Sequence, residues 1–249
     1  MSMVFVDLFG VEVYNFPSSS LPPGTNGSSK QKFAVAQQQG VMEKIQKDFE
    51  EGLIPRGDWR KGEIELLSLQ TLIVNRFWHE AIWNVLFRSK DGKEGVQGTY
   101  RWIEWNVGVD SGAAVFAMNE SNDVVLINNY RHASREWRIE LPRGIIKQGE
   151  TAENCAWRES LEEVGIHGGE VVNLGKIEPD SGLARMTPSI ILMKNVKIDS
   201  SRVRRDVSES IAGHICVPLA EVKRMIIKGE IIDGYLISAL GKLYAHDLI

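Results

Sequence analysis

Three glutamates whose carboxylates could take part in a reaction lie close together in one stretch of the chain. This stretch runs from Gly144 to Ile166 and reads GIIKQGETAENCAWRESLEEVGI. In a helix, the side chains of Glu159, Glu162 and Glu163 fall on one side, within an arc of about 100°. Such carboxylates repel one another, and Arg158, four residues before Glu162, can balance only one of them. Mg²⁺ takes carboxylate, water and phosphate oxygens as ligands. The pattern therefore indicates metal-supported chemistry on phosphates, with a solvated acidic face as the alternative.

Helix start and stop signals flank these glutamates. Thr151 predicts the N-terminal turn, and Gly165 predicts the end of the helix. Trp157, Leu161 and Val164 fall on the side opposite the carboxylates. We expect that side to pack against the rest of the protein.

The spacing of the stretch resembles the Nudix box, G-x5-E-x7-R-E-U-x-E-E-x-G-U, in which U is aliphatic. One position departs from that pattern, because Ser160 stands where an aliphatic residue is usual, but no metal ligand is lost. The resemblance implies the Nudix-type α/β/α sandwich with a mixed sheet, an α/β fold. It also implies hydrolysis of a pyrophosphate that links a nucleoside to another group. All seven fixed positions match: Gly144, Glu150, Arg158, Glu159, Glu162, Glu163 and Gly165.

Further motifs resemble one branch of that family, the ADP-ribose and nucleoside-diphosphate-sugar pyrophosphatases. They are NYRH at 129–132, WRIELPRG at 137–144, and the stretch from VPLAEVKRMIIK to GYLISAL near the end, and the resemblance covers about residues 71–245. It implies Mg²⁺-dependent cleavage, with Mn²⁺ as an alternative ion. The substrate would be ADP-ribose or a related nucleoside diphosphate sugar, and the products a nucleoside monophosphate and a sugar phosphate.

The resemblance also implies roles for individual residues. Glu159 and Glu163 are the expected principal metal ligands, and Glu162 is a further ligand or positions water. The main-chain carbonyl of Arg143 is an expected ligand, while its side chain, where the family usually has alanine, either approaches the phosphates or points to solvent. Arg131 follows a strand end and can bind a phosphate bidentately, with a surface ion pair as the alternative.

The catalytic base is open between two residues. The branch often uses a glutamate from a loop after the box, but the loop at 180–187 contains none. Glu209 is the candidate outside the box, and Glu162 is the second candidate. If Glu209 is a base that does not contact the metal, replacing it would lower turnover without changing the Mg²⁺ dependence. Replacing Glu162 would change both.

Two other functions compete with this one: a non-catalytic Nudix module that senses a nucleotide sugar, and a nucleoside triphosphate pyrophosphohydrolase. Sensing modules tend to lose box carboxylates, and this chain keeps them all. Release of inorganic pyrophosphate in place of a sugar phosphate would indicate the triphosphate reaction.

Composition excludes several classes of protein. The chain has 249 residues, a net charge of −4 and 43% hydrophobic residues, and this slight acidity argues against a nucleic-acid partner. Its two cysteines, Cys155 and Cys216, form neither a zinc site nor a disulfide framework, and Cys155 is expected to be a small packed residue. The N-terminus lacks the basic start of a signal peptide, and no apolar run approaches a membrane span. We therefore expect a cytoplasmic protein without a membrane partner.

The chain divides in composition near residue 66. Residues 1–66, with a strand pattern at 1–16, a linker at 17–29 and helical spacing at 32–51, are an N-terminal extension of unknown role. Residues 67–249 are the expected Nudix domain: strands from Thr71, a hairpin over 112–131, the box helix, three later strands and two C-terminal helices. By resemblance, the strands at 71–107, with Trp78, Trp83, Trp102 and Trp105, reach a partner subunit and make the protein a homodimer.

Overall fold

A computed structural model describes residues 40–75, 77–110, 112–205 and 209–249. The predictions for residues 1–29 lie outside this part of the chain. The chain divides into two compact units, and each is described by itself. The first unit runs to Asn106 and includes Gly182–Arg185, and the second comprises Val107–Ser181 and Met186–Ile249.

The first unit is a three-stranded antiparallel sheet with a helix packed on one face. Side chains alternate along the central strand, so that Ala81, Trp83 and Val85 are buried. The ring of Phe49, from the helix, lies 4.9 Å from that of Trp83. The helix is α1 (40–50), and the strands in sheet order are β1 (Glu65–Val74), β2 (Trp78–Arg88) and β3 (Gly95–Trp105).

A sharp turn separates β1 from β2 within the stretch that the sequence marks as rich in strand-forming residues. The side-chain oxygen of Asn75 accepts hydrogen bonds from the main-chain N–H of Phe77, at 2.7 Å, and of Trp78, at 2.9 Å. An asparagine that bonds its own following backbone in this way stabilises a turn. The aromatic stretch therefore folds back on itself as a hairpin.

The short segment Gly182–Arg185 runs parallel to β3. The N–H of Ile103 donates to the carbonyl of Leu183 at 2.9 Å, and the N–H of Arg185 donates to the carbonyl of Ile103 at 2.8 Å. The Arg185 guanidinium also donates to the buried Glu104 carboxylate at 2.5 Å. These bonds hold in place the middle of the loop in which the sequence offers no glutamate.

The second unit contains a mixed eight-stranded sheet. The main strand order is β11-β5-β4-β10-β8, with β6 beside β5, β7 beside β4 and β9 beside β10. Only β4 and β10 pair in parallel among these strands of the described residues. The strands are β4 (Gly112–Asn119), β5 (Asp123–Arg131), β6 (Glu136–Glu140), β7 (Arg143–Ile145), β8 (Ile166–His167), β9 (Glu170–Lys176), β10 (Ser189–Ile198) and β11 (Ile211–Pro218).

Helices cover both faces of this sheet, which confirms the predicted α/β/α sandwich. Along β4, Val115 and Ala117 join the core beneath α2 (Ala152–Val164), whereas Ala114 and Phe116 join the core beneath α3 (Leu219–Ile227) and α4 (Gly234–Ala245). This alternation is what a strand buried on both faces requires. None of the helices among the described residues combines the length and apolar character needed to cross a bilayer.

Along the chain, the first unit ends at Asn106 and resumes only for Gly182–Arg185. The boundary predicted from composition, at residue 66, falls inside β1. Because β1 to β3 group with α1 by their contacts, the assignment of residues 67–106 to the same domain as the box helix stays a prediction.

Candidate metal and catalytic site

The ends of α2 lie where the sequence predicts them. The Thr151 hydroxyl accepts a hydrogen bond from the N–H of Asn154 at 3.2 Å, and this satisfies one of the free N–H groups of the first turn. Gly165 ends the helix with φ of 85°, a left-handed conformation that favours glycine.

The packed side of α2 agrees only in part with the prediction, because Val164 and Trp157 pack in the core as expected but other residues are buried more deeply. Cys155, Ala156 and Ser160 are fully buried together with Val164, whereas Leu161 is only half-buried. The helix is rotated relative to the expected orientation because its carboxylates also turn inward, toward the chain that precedes it. Cys155 is the small packed residue that the sequence indicates, and Ser160 fits its aliphatic position by directing its hydroxyl at the Met193 sulfur, 3.7 Å away.

Three carboxylates converge at one point beside α2. Glu159, Glu163 and Glu209 each offer an oxygen, and these oxygens all lie within 4.8 Å of one another. Glu159 and Glu163 are buried, and Glu209 is half-buried. We call these three residues the carboxylate group. Glu162 is not one of the three; its half-exposed carboxylate accepts a hydrogen bond from Arg158 at 3.3 Å.

Arg205 holds the segment that carries Glu209 against the end of α2. Its guanidinium donates to the main-chain carbonyl of Glu163 at 2.9 Å and to that of Ile211 at 3.0 Å. The carbonyl of Ser210 also accepts a hydrogen bond from the N–H of Tyr130 at 3.0 Å. A residue remote from the box in sequence is thereby fixed at the box.

The main chain of β7 lies directly against this group. The N–H of Arg143 donates to the Glu163 carboxylate at 3.2 Å. A methyl group added at Gly144 would lie 2.0 Å from the Glu159 carboxyl carbon, so only glycine allows this approach. The carbonyl of Arg143, predicted as a ligand, belongs to the same short piece of backbone.

Burial and mutual repulsion make this site unfavourable for negative charge. Burial, then Glu159 and Glu209, raise the pKa of Glu163 well above its usual range. Burial also raises the pKa of Glu159, although Arg158 opposes the shift. The same desolvation raises the pKa of the Cys155 thiol to about 12, so this cysteine stays protonated. Three hard oxygen donors with an excess of negative charge are a donor set that fits a divalent cation such as Mg²⁺.

Comparison with known proteins assigns this part of the chain to a family. The family model described as NUDIX domain matches residues 109–230. These residues are a NUDIX domain. The match contains the box, β7 and the segment with Glu209, and it confirms the resemblance found in the sequence.

Two curated relatives and one solved structure are similar to the chain. Putative nudix hydrolase 2 of Caenorhabditis elegans is 32% identical over 113 residues, which are 41% of this chain and 51% of that protein. ADP-ribose pyrophosphatase of Mycobacterium tuberculosis (strain ATCC 25618 / H37Rv) is 24% identical over 134 residues, 53% of this chain and 64% of that protein. The matches thus span less than two thirds of either relative. A crystal structure of an ADP compounds hydrolase shares the fold, with a TM-score of 0.55 and 17% identity over 75% of this chain and 94% of its own.

Arg158 connects the NUDIX domain's box loop to its box helix. Its guanidinium donates to Glu150 at 2.8 and 2.9 Å, to the carbonyl of Ile145 at 2.9 Å and to Glu159 at 2.5 Å. Arg158 in turn lowers the pKa of Glu150. Arg158 therefore forms an ion pair with Glu150 in the loop and also contacts Glu159 of the carboxylate group.

Arg131 pairs with a buried carboxylate. Its Nε donates to Glu140 Oε2 at 3.0 Å and its Nη2 bonds Oε1 of the same residue, while the Asn129 amide donates to that oxygen at 2.9 Å. Glu140 is 1% exposed, and the Arg131 side chain is 38% exposed. Arg131 thus forms an ion pair, as the alternative from the sequence expects, although its partner is a buried carboxylate. The phosphate-binding role of Arg131 stays a prediction.

The Arg143 side chain does not point to solvent. It donates to Glu140 at 3.2 Å and to Asp233 at 3.2 Å, and its guanidinium carbon lies 4.1 Å from the ring centre of Tyr235. Sequence reasoning missed Asp233 and Tyr235 as neighbours of the site. The only local signal was Asp233 as the residue before a C-terminal helix, and this predicts a helix cap and nothing more.

Proposed function

We propose that the NUDIX domain hydrolyses the pyrophosphate bond of ADP-ribose or a related nucleoside diphosphate sugar, giving a nucleoside monophosphate and a sugar phosphate. Glu159 and Glu163, with the Arg143 carbonyl, would hold Mg²⁺ or Mn²⁺, and Glu162 or Glu209 would complete the set. The observation that carries this proposal is the convergence of three carboxylate oxygens within 4.8 Å of one another beside β7.

The chemistry needs the negative charge of the pyrophosphate to be neutralised before water can attack it. The bound cation would supply that neutralisation, as in other phosphoryl-transfer sites. Glu209 or Glu162 would take the proton from the attacking water, because Glu162 belongs to the box, Glu209 lies beside its carboxylates, and neither residue is fully buried. Arg131, whose side chain is 38% exposed, would bind a phosphate oxygen of the substrate.

Two further observations support this choice of substrate. The Mycobacterium tuberculosis relative is named an ADP-ribose pyrophosphatase, and the structural neighbour is titled an ADP compounds hydrolase. The chain also keeps every fixed residue of the box, which a module that only binds nucleotides would not need.

A panel of nucleoside diphosphate sugars and nucleoside triphosphates, each incubated with Mg²⁺ and with a chelator, tests the proposal. We expect turnover of ADP-ribose or a related sugar with Mg²⁺ alone, and equal amounts of nucleoside monophosphate and sugar phosphate. Inorganic pyrophosphate as the product would assign the triphosphate reaction instead. Tight binding of a nucleotide sugar without any product would assign a sensing role.

A further inference from the structure

The Arg143 side chain is anchored by a residue 90 positions later in the chain. The two oxygens of Asp233 have separate partners: Oδ1 accepts the N–H of Leu236 at 2.9 Å and caps α4, and Oδ2 accepts Arg143 Nη1 at 3.2 Å. The Tyr235 ring lies against the same guanidinium, 4.1 Å from its central carbon. The start of α4 thus holds Arg143 by an ion pair and a cation–π contact.

Burial makes this anchor costly to release. The side chain of Asp233 is 8% exposed and that of Glu140 is 1% exposed, and Arg143 donates to both. Glu140 has Arg131 and Asn129 as additional partners, whereas Arg143 is the cation that Asp233 contacts at ion-pair distance. A buried carboxylate that loses its cation is strongly destabilised, so the Arg143 side chain is held where Asp233 fixes it.

The main chain of the anchored residue lies at the carboxylate group. Arg143 donates its N–H to Glu163, and the next residue, Gly144, touches Glu159 so closely that a methyl group would overlap it. A displacement of Arg143 would therefore displace the donor to Glu163 and the backbone that packs on Glu159. Partners that orient metal ligands in this way commonly change metal affinity when they are altered.

We propose that Asp233 and Tyr235 are positioning residues, which hold the Arg143 main chain against Glu163 and thereby set the affinity of the carboxylate group for a divalent cation. The inference rests on the proposed function, since it requires the carboxylate group to bind such a cation. The family usually has alanine where this chain has Arg143. An alanine could make neither the ion pair nor the cation–π contact, so this positioning depends on the arginine.

Titration calorimetry of Mn²⁺ binding to the full chain, without substrate, separates the positioning role of Asp233 and Tyr235 from a purely structural role. Asp233→Asn keeps the side-chain oxygen that caps α4 and removes the charge that holds Arg143. We expect the dissociation constant for Mn²⁺ to rise about 10-fold or more, within the ~10- to 100-fold range for residues behind the ligands. Tyr235→Leu should raise it less, by about two- to fivefold, because the ion pair remains.

The matched control and the coupled variant sharpen the result. Asp58 also caps a helical turn and lies 3.8 Å from an arginine, Arg60, in the first unit, so Asp58→Asn should leave Mn²⁺ binding unchanged. In an Arg143→Ala background, Asp233→Asn should change the dissociation constant less than about twofold, because there is no side chain left to hold. Thermal melting of each variant shows that it is folded.

Each other outcome counts against a stated claim. If Asp233→Asn and Tyr235→Leu bind Mn²⁺ as tightly as the parent, the positioning role is wrong and the proposed function is untouched. If Asp233→Asn weakens Mn²⁺ binding equally in the parent and in the Arg143→Ala background, the effect comes from α4 and not from the contacts with the Arg143 side chain. The inference then fails. If the folded parent chain binds no Mn²⁺, both the proposed function and this inference fail.

Discussion

Glu209 and Glu162 differ in what their carboxylates contact. A carboxylate oxygen of Glu209 lies within 4.8 Å of oxygens of Glu159 and Glu163. Glu162 is half-exposed, and its carboxylate accepts a hydrogen bond from Arg158. A base away from the metal would leave the Mg²⁺ dependence unchanged, as the sequence led us to expect for Glu209. Its place in the carboxylate group changes that expectation, because a charge at this position would also contribute to the affinity for the proposed cation.

The first prediction follows from this placement. Glu209→Gln should lower kcat by about 10²-fold or more, within the ~10²–10⁴-fold range of a general base, and should also raise the Mg²⁺ concentration needed for half-maximal rate. Glu162→Gln should shift the Mg²⁺ requirement less. The measurement is kcat against Mg²⁺ concentration for both variants. A near-parent kcat in Glu209→Gln would transfer the role of base to Glu162.

At the scale of elements, the loop and the helix of the box are joined by the five donors of one guanidinium. Arg158 uses them on Glu150, Glu159, Glu162 and the Ile145 carbonyl, and its side chain is 18% exposed. Lysine offers a single ammonium that cannot satisfy these acceptors together. The contacts of this arginine therefore determine how firmly the loop is held to α2.

We predict that Arg158→Lys lowers the free energy of unfolding by about 1–3 kcal/mol, since it leaves buried carboxylates with fewer partners. Urea unfolding measures this change. Arg224 is a matched control, because it also pairs with two glutamates, Glu221 on α3 and Glu230 just after it, but at the protein surface. Arg224→Lys should cost less than Arg158→Lys. Equal effects of the two substitutions would show that the Arg158 contacts add nothing beyond a surface ion pair.

The sequence predicts those features of the elements that depend on local contacts. Thr151 and Gly165 define the ends of α2 because capping involves only neighbouring backbone. The buried side of the helix was predicted only in part, because the inward turn of Glu159 and Glu163 depends on the close approach of β7. The ion pair between Arg143 and Asp233 could not be predicted, because it joins residues 90 positions apart. An aspartate that caps a helix does not indicate what its second oxygen will bond.

Glu209 was predicted from the sequence as a candidate, but its position in the fold was not. The sequence offered it as a candidate because the loop at 180–187 lacks a glutamate. The structure brings it to the box through Arg205, whose contacts with Glu163 and Ile211 no local pattern reveals.

For the whole molecule, the three-stranded sheet of the first unit bears on assembly. One face carries Trp83 and the core with α1, and Trp78, Ile82 and Leu86 on the other face are half-buried. Apolar residues on both faces of a small sheet are consistent with the proposal that β1 to β3 contribute to a homodimer.

We predict that the full chain is a dimer at micromolar concentration. Sedimentation velocity over a concentration series measures this, with activity assayed in the same samples. A monomer with full activity throughout the series would contradict the dimer.

The role of Glu163 as a metal ligand is tested by comparing the parent chain with Glu163→Gln in Mg²⁺-dependent hydrolysis of ADP-ribose, with the products identified. Glutamine keeps the shape of Glu163 and an acceptor for the Arg143 N–H, so the variant should fold. Glu153→Gln, on the same helix and bonded to Asn173 away from the carboxylate group, is the control and should keep the parent rate.

We expect the parent to release AMP and ribose phosphate, and Glu163→Gln to lose at least about 100-fold of this rate, because the neutralisation of phosphate charge contributes several kcal/mol. A folded Glu163→Gln variant that turns over ADP-ribose at the parent rate would show that Glu163 is not a metal ligand.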